Sequence, residues 1–458
     1  MSGWYEPLFR RALFPLYETG LRRRNTVAYF EEAERNQWLA PAELAALQWE
    51  KLKRLIEHCW REVPYYQRRW KAAGVTPADI RTPADYARLP RLTKADVREN
   101  FEDLHASSWR GRLTYKFTGG STGEPLRFGY TRECYERRIA AMWRGYGWAG
   151  ARMGRRTLYL WGAPVGASTT WHDIKDRLYH AAFNRRMLNA FLMSEQRLRE
   201  YAAEIDRVRP EIIVGYVGPL LRMAEWILAS GQAIHRPEAV LSAAEALHET
   251  QRKTLENAFG CPVYNTYGCR EFMLIAAECE QRSGLHLTAD HLFVEIDAPR
   301  TTPDGERIGE VLVTDLHNEG MPLLRYANGD MATAAEQACV CGRGLPMLRR
   351  IDGRKLDTLH TPAGHLLPGE YIVYAFLNIP SITRYQVVQR ELETLDITLV
   401  PGEGFGEPVL EQIRREIAKA VGASVGIRFH IADDIAPSPS GKFRVAICEL
   451  DQQAVAST

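Results

Sequence analysis

The residues best able to do chemistry fall in four short stretches. Phe117-Thr118-Gly119-Gly120-Ser121-Thr122-Gly123-Glu124-Pro125 sets glycines beside hydroxyl side chains. Its backbone N–H groups, with the Ser121 and Thr122 hydroxyls, can converge on an anion such as a phosphate. No Gly-Lys-Ser/Thr follows, so the cradle is not of the Walker type. Taken alone, the stretch is most simply a turn between strands. Tyr264-Asn265-Thr266-Tyr267-Gly268-Cys269-Arg270-Glu271 runs from a strand through a glycine turn to a carboxylate. Glu271 can hold Mg2+ against phosphate oxygens, or merely end a strand in solvent. In Tyr326-Ala327-Asn328-Gly329-Asp330 the acid can accept both hydroxyls of a ribose, although Asn-Gly is equally a hairpin signal. Near the end, Pro437-Ser438-Pro439-Ser440-Gly441-Lys442 offers one lysine in a glycine turn.

Cys279, His286, Cys339 and Cys341 supply three thiolates and one imidazole, enough for a closed tetrahedral structural Zn2+ site. The spacing is not that of a common zinc finger, and Cys269 is a competing ligand. The alternative is buried thiols and a packing histidine.

These residues need elements to hold them. The chain has 458 residues, more than one ordinary core, so two or more domains are expected. An apolar fraction of 45% and a charged fraction of 25% are those of a globular protein in water. The net charge of +2 gives no general drive toward nucleic acid. Eight cysteines without a signal peptide fit a reducing cytoplasm, with thiols free or on metal. No apolar run is long enough to span a membrane. The segment 9–16, followed by Arg22-Arg23-Arg24, is basic and partly amphipathic. It can touch an acidic membrane surface, but Pro15 interrupts the pattern, and a packed helix with a solvated basic side is the simpler reading.

Apolar spacing predicts a helix over 42–59 ended by the Val63-Pro64 step, and Thr93-Lys94-Ala95-Asp96 reads as a helix start. Strands at 157–161, 211–217 and 239–243 alternate with helices at 196–208 and 220–228. That rhythm predicts a mostly parallel sheet wrapped by helices. After residue 352 the composition shifts. Strands at 385–388, 396–400, 428–432 and 445–450 with a helix over 409–421 predict a small α+β unit.

In order and spacing, these pieces resemble the adenylate-forming ligases, and among them the phenylacetate–CoA ligase family and its capsular-polysaccharide-cluster relatives. The resemblance runs from about residue 90 to 445 and includes Gly284-Leu285-His286-Leu287-Thr288-Ala289-Asp290-His291 and Cys339-Val340-Cys341-Gly342-Arg343. It implies an α/β fold with a large AMP-binding domain over 1–353 and a small mobile C-terminal domain over 354–458. It also implies ATP-dependent activation of a carboxylic acid as its acyl-adenylate, with transfer to an acceptor, most simply CoA. Two rivals are transfer to an amine or hydroxyl in polysaccharide or natural-product synthesis, and a nucleotide-binding scaffold without catalysis.

By the same resemblance Thr118, Gly119, Gly120, Ser121, Thr122 and Gly123 would wrap the phosphates of ATP. Glu271 would bind Mg2+, Asp330 would take the ribose hydroxyls, and Arg354 would assist there. Ala244, Glu245, Asn265, Thr266, Tyr267 and Gly268 would flank the adenine, and Lys442 would meet the carboxylate and α-phosphate. Arg270 stands where the family has Thr or Ser, so charge would replace a hydroxyl. Lys355-Leu356-Asp357 replaces the usual acidic hinge. The acid pocket is expected between Trp161, Tyr216, Gly218 and the 265–272 turn, with Tyr216 and Phe272 suiting an aryl or apolar acid. The partners implied are a small carboxylic acid, CoA or another acceptor, and a second copy of the chain in a homodimer. Nucleic acid and an integral membrane segment are not expected.

Overall fold

The computed structural model describes residues 4–118, 126–162, 178–190, 193–301, 306–354, 359–362, 366–367, 376, 379, 381–421, 425–436 and 444–450. The helix Pro41–Glu62 buries Leu44, Leu52, Leu55, Ile56 and Cys59, the stripe read from the apolar spacing. It ends at Val63, and Pro64 opens the next helix, Pro64–Ala72, where its missing N–H costs nothing. Thr93 caps the helix Lys94–Glu99 reciprocally. Its hydroxyl accepts from the Asp96 amide, while the Asp96 carboxylate accepts from the Thr93 amide at 2.8 Å.

An antiparallel hairpin, β1 (Thr114–Phe117) and β2 (Arg127–Tyr130), frames the Gly/Ser/Thr stretch. The main sheet then takes β3 (Thr157–Trp161), β4 (Arg185–Asn189), β5 (Ile212–Tyr216), β6 (Ala239–Ala243) and β7 (Val263–Cys269). It continues through β8 (Met273–Glu278), β9 (Leu285–Leu287), β10 (Leu292–Thr301), β11 (Arg307–Asp315), β12 (Tyr326–Ala334) and β13 (Met347–Arg354). The strand order is β10-β11-β12-β13-β9-β8-β7-β6-β5-β3-β4. From β4 to β7 every pairing is parallel, and the helices Glu195–Val208, Val217–Ser230 and Glu249–Phe259 make the crossovers. From β7 to β10 every pairing is antiparallel.

The expectation of a mostly parallel sheet therefore holds for only one half. No helix is described between Met273 and Arg354. Parallel neighbours need a long crossover, so strands joined by short turns must pair antiparallel.

Asn328-Gly329-Asp330 is not a hairpin turn either. It bulges within β12, where Glu310 and Leu312 of β11 oppose Met331 and Ala327, and Gly329 takes φ +86°. Arg354 is the last residue of β13. Beyond it β14 (Ile382–Glu391), β15 (Thr394–Pro401), β16 (Gly426–Ile431) and β17 (Ala446–Cys448) form a sheet of order β16-β15-β14-β17, with the helix Glu407–Val421 between β15 and β16 in the chain. Val387, Leu395, Ile397, Leu399, Ile413 and Ile417 give this unit a core of its own.

The large domain is pinned by buried ion pairs. Within the helix Arg132–Trp148, Arg138 reaches Asp315 at 2.9 Å and Arg144 makes two 2.9 Å hydrogen bonds to Asp290. Burial alone would favour the neutral acid at Asp290. The Arg144 charge outweighs it and holds the carboxyl below its ordinary range. Lys51 donates to the Asp290 carbonyl at 2.8 Å. Beside them the buried rings of His291 and His317 stack 5.5 Å apart, and neither His291 nitrogen finds a hydrogen-bond partner among the described residues. Burial pushes His291 down to about 4.

A neutral histidine in the fold makes stability depend on pH with a defined sign. Between about pH 6.5, where a free histidine titrates, and about pH 4, the unfolded chain binds a proton that the folded chain does not. Stability rises with pH across that window and falls on acidification, by on the order of 2 kcal/mol from this group. Urea unfolding at pH 7 and pH 5 should show a larger acid loss in the native protein than in His291→Gln. Equal losses would contradict the assignment.

Candidate active site

Open α/β sheets bind ligands beyond the carboxyl ends of their parallel strands. Here Trp161 ends β3, Tyr216 ends β5, Ala243 ends β6 and Cys269 ends β7, so one edge collects most of the residues singled out in the sequence.

At the centre lies a buried carboxylate. Asp330 sits on the β12 bulge and is 6% exposed. Its Oδ2 accepts from the Tyr267 hydroxyl and from Asn328 Nδ2, both at 2.8 Å, and its own amide donates to Asn328 Oδ1 at 3.0 Å. Arg354 Nε meets Oδ1 at 2.9 Å, and Arg354 Nη1 donates to the Asn328 carbonyl at 3.2 Å. Asp330 beside it raises the Arg354 pKa, so the guanidinium stays charged at any ordinary pH. Both partners come from adjacent antiparallel strands, with Asp330 directly opposite Arg354.

Glu271, also buried, accepts from the Tyr326 hydroxyl at 2.9 Å, with the Cys269 thiol bonded to it. Its position past β7 depends on Gly268. A Cβ there would lie 1.8 Å from the Met273 carbonyl oxygen, so only glycine lets the chain bulge at this point. The donor set on Glu271 suits a hard divalent cation, since one carboxylate faces the site with hydrogen bonds orienting it.

One basic residue of this site carries no mark in the sequence. Lys94 belongs to the capped helix start, and Leu92 carries it onto β12 by two backbone bonds: Leu92 N–H to the Arg325 carbonyl at 3.1 Å and Ala327 N–H to the Leu92 carbonyl at 2.9 Å. Burial and then the Arg354 charge lower the Lys94 pKa, while Glu271, Asp330 and Cys269 act to raise it. A lysine felt by all of these groups stands in the same site. The capping signal marked its helix, but nothing local marks the docking of Leu92 on a strand more than two hundred residues away.

On the other side of β7, Trp161 and Tyr216 lie with ring centroids 4.5 Å apart. Gly218 N–H donates to Glu245 Oε2 at 2.6 Å, and Ala244 takes φ +67°. The Asn265 amide donates to Glu278 at 2.7 Å, and the Thr266 hydroxyl donates to the Ser242 carbonyl at 2.8 Å. The two aromatics of this turn are both buried. The Tyr267 hydroxyl serves Asp330. Phe272 was expected in the acid pocket, but it is fully buried in the large core, edge-on to Tyr326 at 5.8 Å. Strand alternation and the bulge at Gly268 aim both rings at the core rather than at the open edge.

Arg270 is exposed, and its Nη1 donates to the Phe117 carbonyl at 3.1 Å, at the foot of the Gly/Ser/Thr stretch. Thr118 closes that foot: its amide donates to the Leu126 carbonyl, and its hydroxyl accepts from the Leu126 amide, each at 2.9 Å. Gly119, Gly120, Ser121, Thr122, Gly123 and Lys442 lie outside the described residues.

The four Cys/His ligand atoms lie within 4.8 Å of one another. Cys279 and Cys339 sulfurs are 3.7 Å apart, and Cys341 Sγ is 3.4 Å from His286 Nε2. A tetrahedron with Zn–S bonds of about 2.3 Å has edges of roughly 3.8 Å, so the set fits that ion. His286 Nδ1 faces the Leu345 carbonyl at 3.4 Å, which leaves Nε2 to ligate. Cys269 is not part of the cluster; it sits with Glu271 instead.

Comparison with known proteins follows the same lines. The profile of the CapK C-terminal domain matches residues 359–449. A phenylacetate-coenzyme A ligase of Thermus thermophilus is 30% identical, with 82% of this chain and 84% of that protein covered. The phenylacetate-coenzyme A ligase of Escherichia coli is 27% identical over 84% of this chain and 90% of its own, and the protein CapK of Staphylococcus aureus is 23% identical over 93% and 94%. The crystal structure of 2-hydroxyisobutyryl-CoA ligase in the postadenylation state with 2-HIB-AMP superposes with a TM-score of 0.71 at 18% identity, covering 93% of each chain.

Proposed function

The chain belongs to the phenylacetate-coenzyme A ligase family and is an AMP-forming acid–CoA ligase; from that premise we propose which residues carry the reaction and what kind of acid they take. The observation that carries the reading is the meeting of Glu271, Asp330, Arg354 and Lys94 at the strand ends, beside the foot of a glycine-rich stretch and an aromatic pair.

Asp330, oriented by Tyr267, Asn328 and Arg354, accepts the ribose hydroxyls of ATP. The backbone of Gly119, Gly120, Ser121, Thr122 and Gly123, with Thr118 at its foot, cradles the phosphates. Arg270 braces that cradle from the end of β7. Mg2+ on Glu271 would offset phosphate charge when bound. In the first half-reaction a carboxylate oxygen bonds to the α-phosphorus and pyrophosphate leaves. In the second the CoA sulfur bonds to the acyl carbon, and AMP leaves.

Two anions meet in the first step, so cations placed beforehand at the meeting point lower its barrier. Lys442 supplies one from the small domain, and Lys94 a second from the large domain. Trp161 and Tyr216 form an apolar wall closed at one end by the Gly218–Glu245 bond, which suits an aryl acid. Cys279, His286, Cys339 and Cys341 hold a structural Zn2+ that ties the β8–β9 turn to the segment entering β13.

ATP–pyrophosphate exchange across aryl, fatty and amino acids, without CoA, should respond to aryl acids. No exchange with any class would overturn the reading. Lys442→Ala should lower exchange by orders of magnitude while ATP still binds, and Lys94→Ala should lower it about a hundredfold. An unchanged rate in either variant removes that lysine from the mechanism.

Purified protein should carry zinc at about one ion per chain. Cys341→Ser should release it and lower the thermal midpoint, since binding free energy at such a site is folding free energy. A metal-free native protein with the same midpoint would exclude the ion.

A further inference from the structure

The basic N-terminal segment is the packed helix with a solvated basic side that its sequence suggests. Pro15 does not interrupt it. Helical turns run from Tyr5 to Leu21, and on both sides of Pro15 they widen to i→i+5 bonding, with Phe14 N–H to the Phe9 carbonyl and Arg22 N–H to the Tyr17 carbonyl.

One line of the segment holds it to the body. Phe9 and Phe14 are buried against Phe183, Trp143 and Met153, and the Tyr5 hydroxyl donates to the Ala182 carbonyl at 2.7 Å. Another line has no cover among the described residues. Trp4 is 65% exposed, Leu16 62% and Leu21 74%, and Leu8 and Leu13 stand exposed between them. They recur every three to five residues, so they form a ridge along the helix rather than a patch around a pocket.

The charges on this segment are one-sided. Arg10, Arg11, Arg22 and Arg23 are exposed. The acids are already taken up: Glu6 pairs with Arg152 at 2.9 Å, and Glu18 is buried with Arg24 and Thr26. Arg22 donates to the Tyr17 hydroxyl at 3.1 Å and lies over the same ring, with its side chain otherwise exposed.

We infer that this ridge is a membrane-docking surface: the helix lies in the plane of an anionic bilayer, with Trp4, Leu8, Leu13, Leu16 and Leu21 in the acyl boundary and the arginines on lipid phosphates. A tryptophan and leucines in a row, flanked by arginines without acids to neutralise them, match the two layers of such a surface. Trp4 at the end of the row has the amphipathic ring favoured at headgroup depth. No helix among the described residues is long and apolar enough to cross a membrane, so the contact is peripheral. It would bring the acid-activating site to a lipid surface.

The test is sedimentation of the full chain with vesicles of phosphatidylcholine, with and without one third phosphatidylglycerol. The chain should bind the anionic vesicles and be released by high salt, because exposed charges are then screened. Arg10→Ala with Arg11→Ala should weaken binding about thirtyfold, taking about 1 kcal/mol per arginine. Leu8→Ser with Leu16→Ser should weaken it about tenfold or more while leaving thermal unfolding and pyrophosphate exchange unchanged, since both positions are exposed. Failure to bind anionic vesicles, or binding by both double variants as tight as that of the native chain, overturns the inference. So does a dimer in sedimentation velocity that Leu16→Asp dissociates, because the ridge would then be a subunit contact.

Discussion

A carboxylate buried beside a guanidinium is the constraint on which the site depends. Burying a carboxyl group to 6% exposure is costly unless its oxygens find partners, and the chain supplies them from three directions: Tyr267, Asn328 and Arg354. The bulge at Asn328-Gly329 turns the carboxylate to face β13, and the antiparallel register puts Arg354 opposite it. Pairing of this kind does little for net stability, because desolvation offsets the attraction. What it secures is orientation, with the carboxylate oxygens held toward the strand ends.

The change of strand direction within the sheet serves the same end. The parallel half delivers Trp161, Tyr216, Ala243 and Cys269 to one edge, as helical crossovers require. The antiparallel half brings the β12 bulge and the end of β13 beside β7 without further helices. Helical segments before the sheet then close it from outside, and the Leu92 bridge to β12 adds Lys94. The Arg138–Asp315 and Arg144–Asp290 pairs fix the helix behind this arrangement, and the Cys/His cluster lies just beyond, on the turn after β8.

Much of this was legible in the residues. The strands at 157–161 and 239–243 were read to the residue, and the small α+β unit was read element by element, because alternation and helical periodicity are local. The Cys/His set was legible because two closely spaced pairs, Cys279 with His286 and Cys339 with Cys341, together offer three thiols and an imidazole. Phe272, expected in the acid pocket, lies in the core, and Tyr267 turns its hydroxyl inward to Asp330, since the bulge at Gly268 decides which face each ring takes. Asn328-Gly329 carries the same signal whether it turns a hairpin or kinks a strand, and only the partner strand tells which.

By itself the sequence determined the chemistry on offer: a glycine-rich anion loop, isolated acids after glycine turns, a metal-ligand set, and an order of pieces particular to one family of ligases. It determined the local elements too, for the same reason that propensity and periodicity act over a few residues. Tertiary structure alone decided which groups meet. Lys94 joins Glu271 and Asp330 through a strand bridge spanning more than two hundred residues, and Arg354 meets Asp330 through register. It also decided that the helix passes Pro15 with a ridge of leucines facing outward. Burial and charge proximity are properties of the packed chain, and no local pattern encodes them.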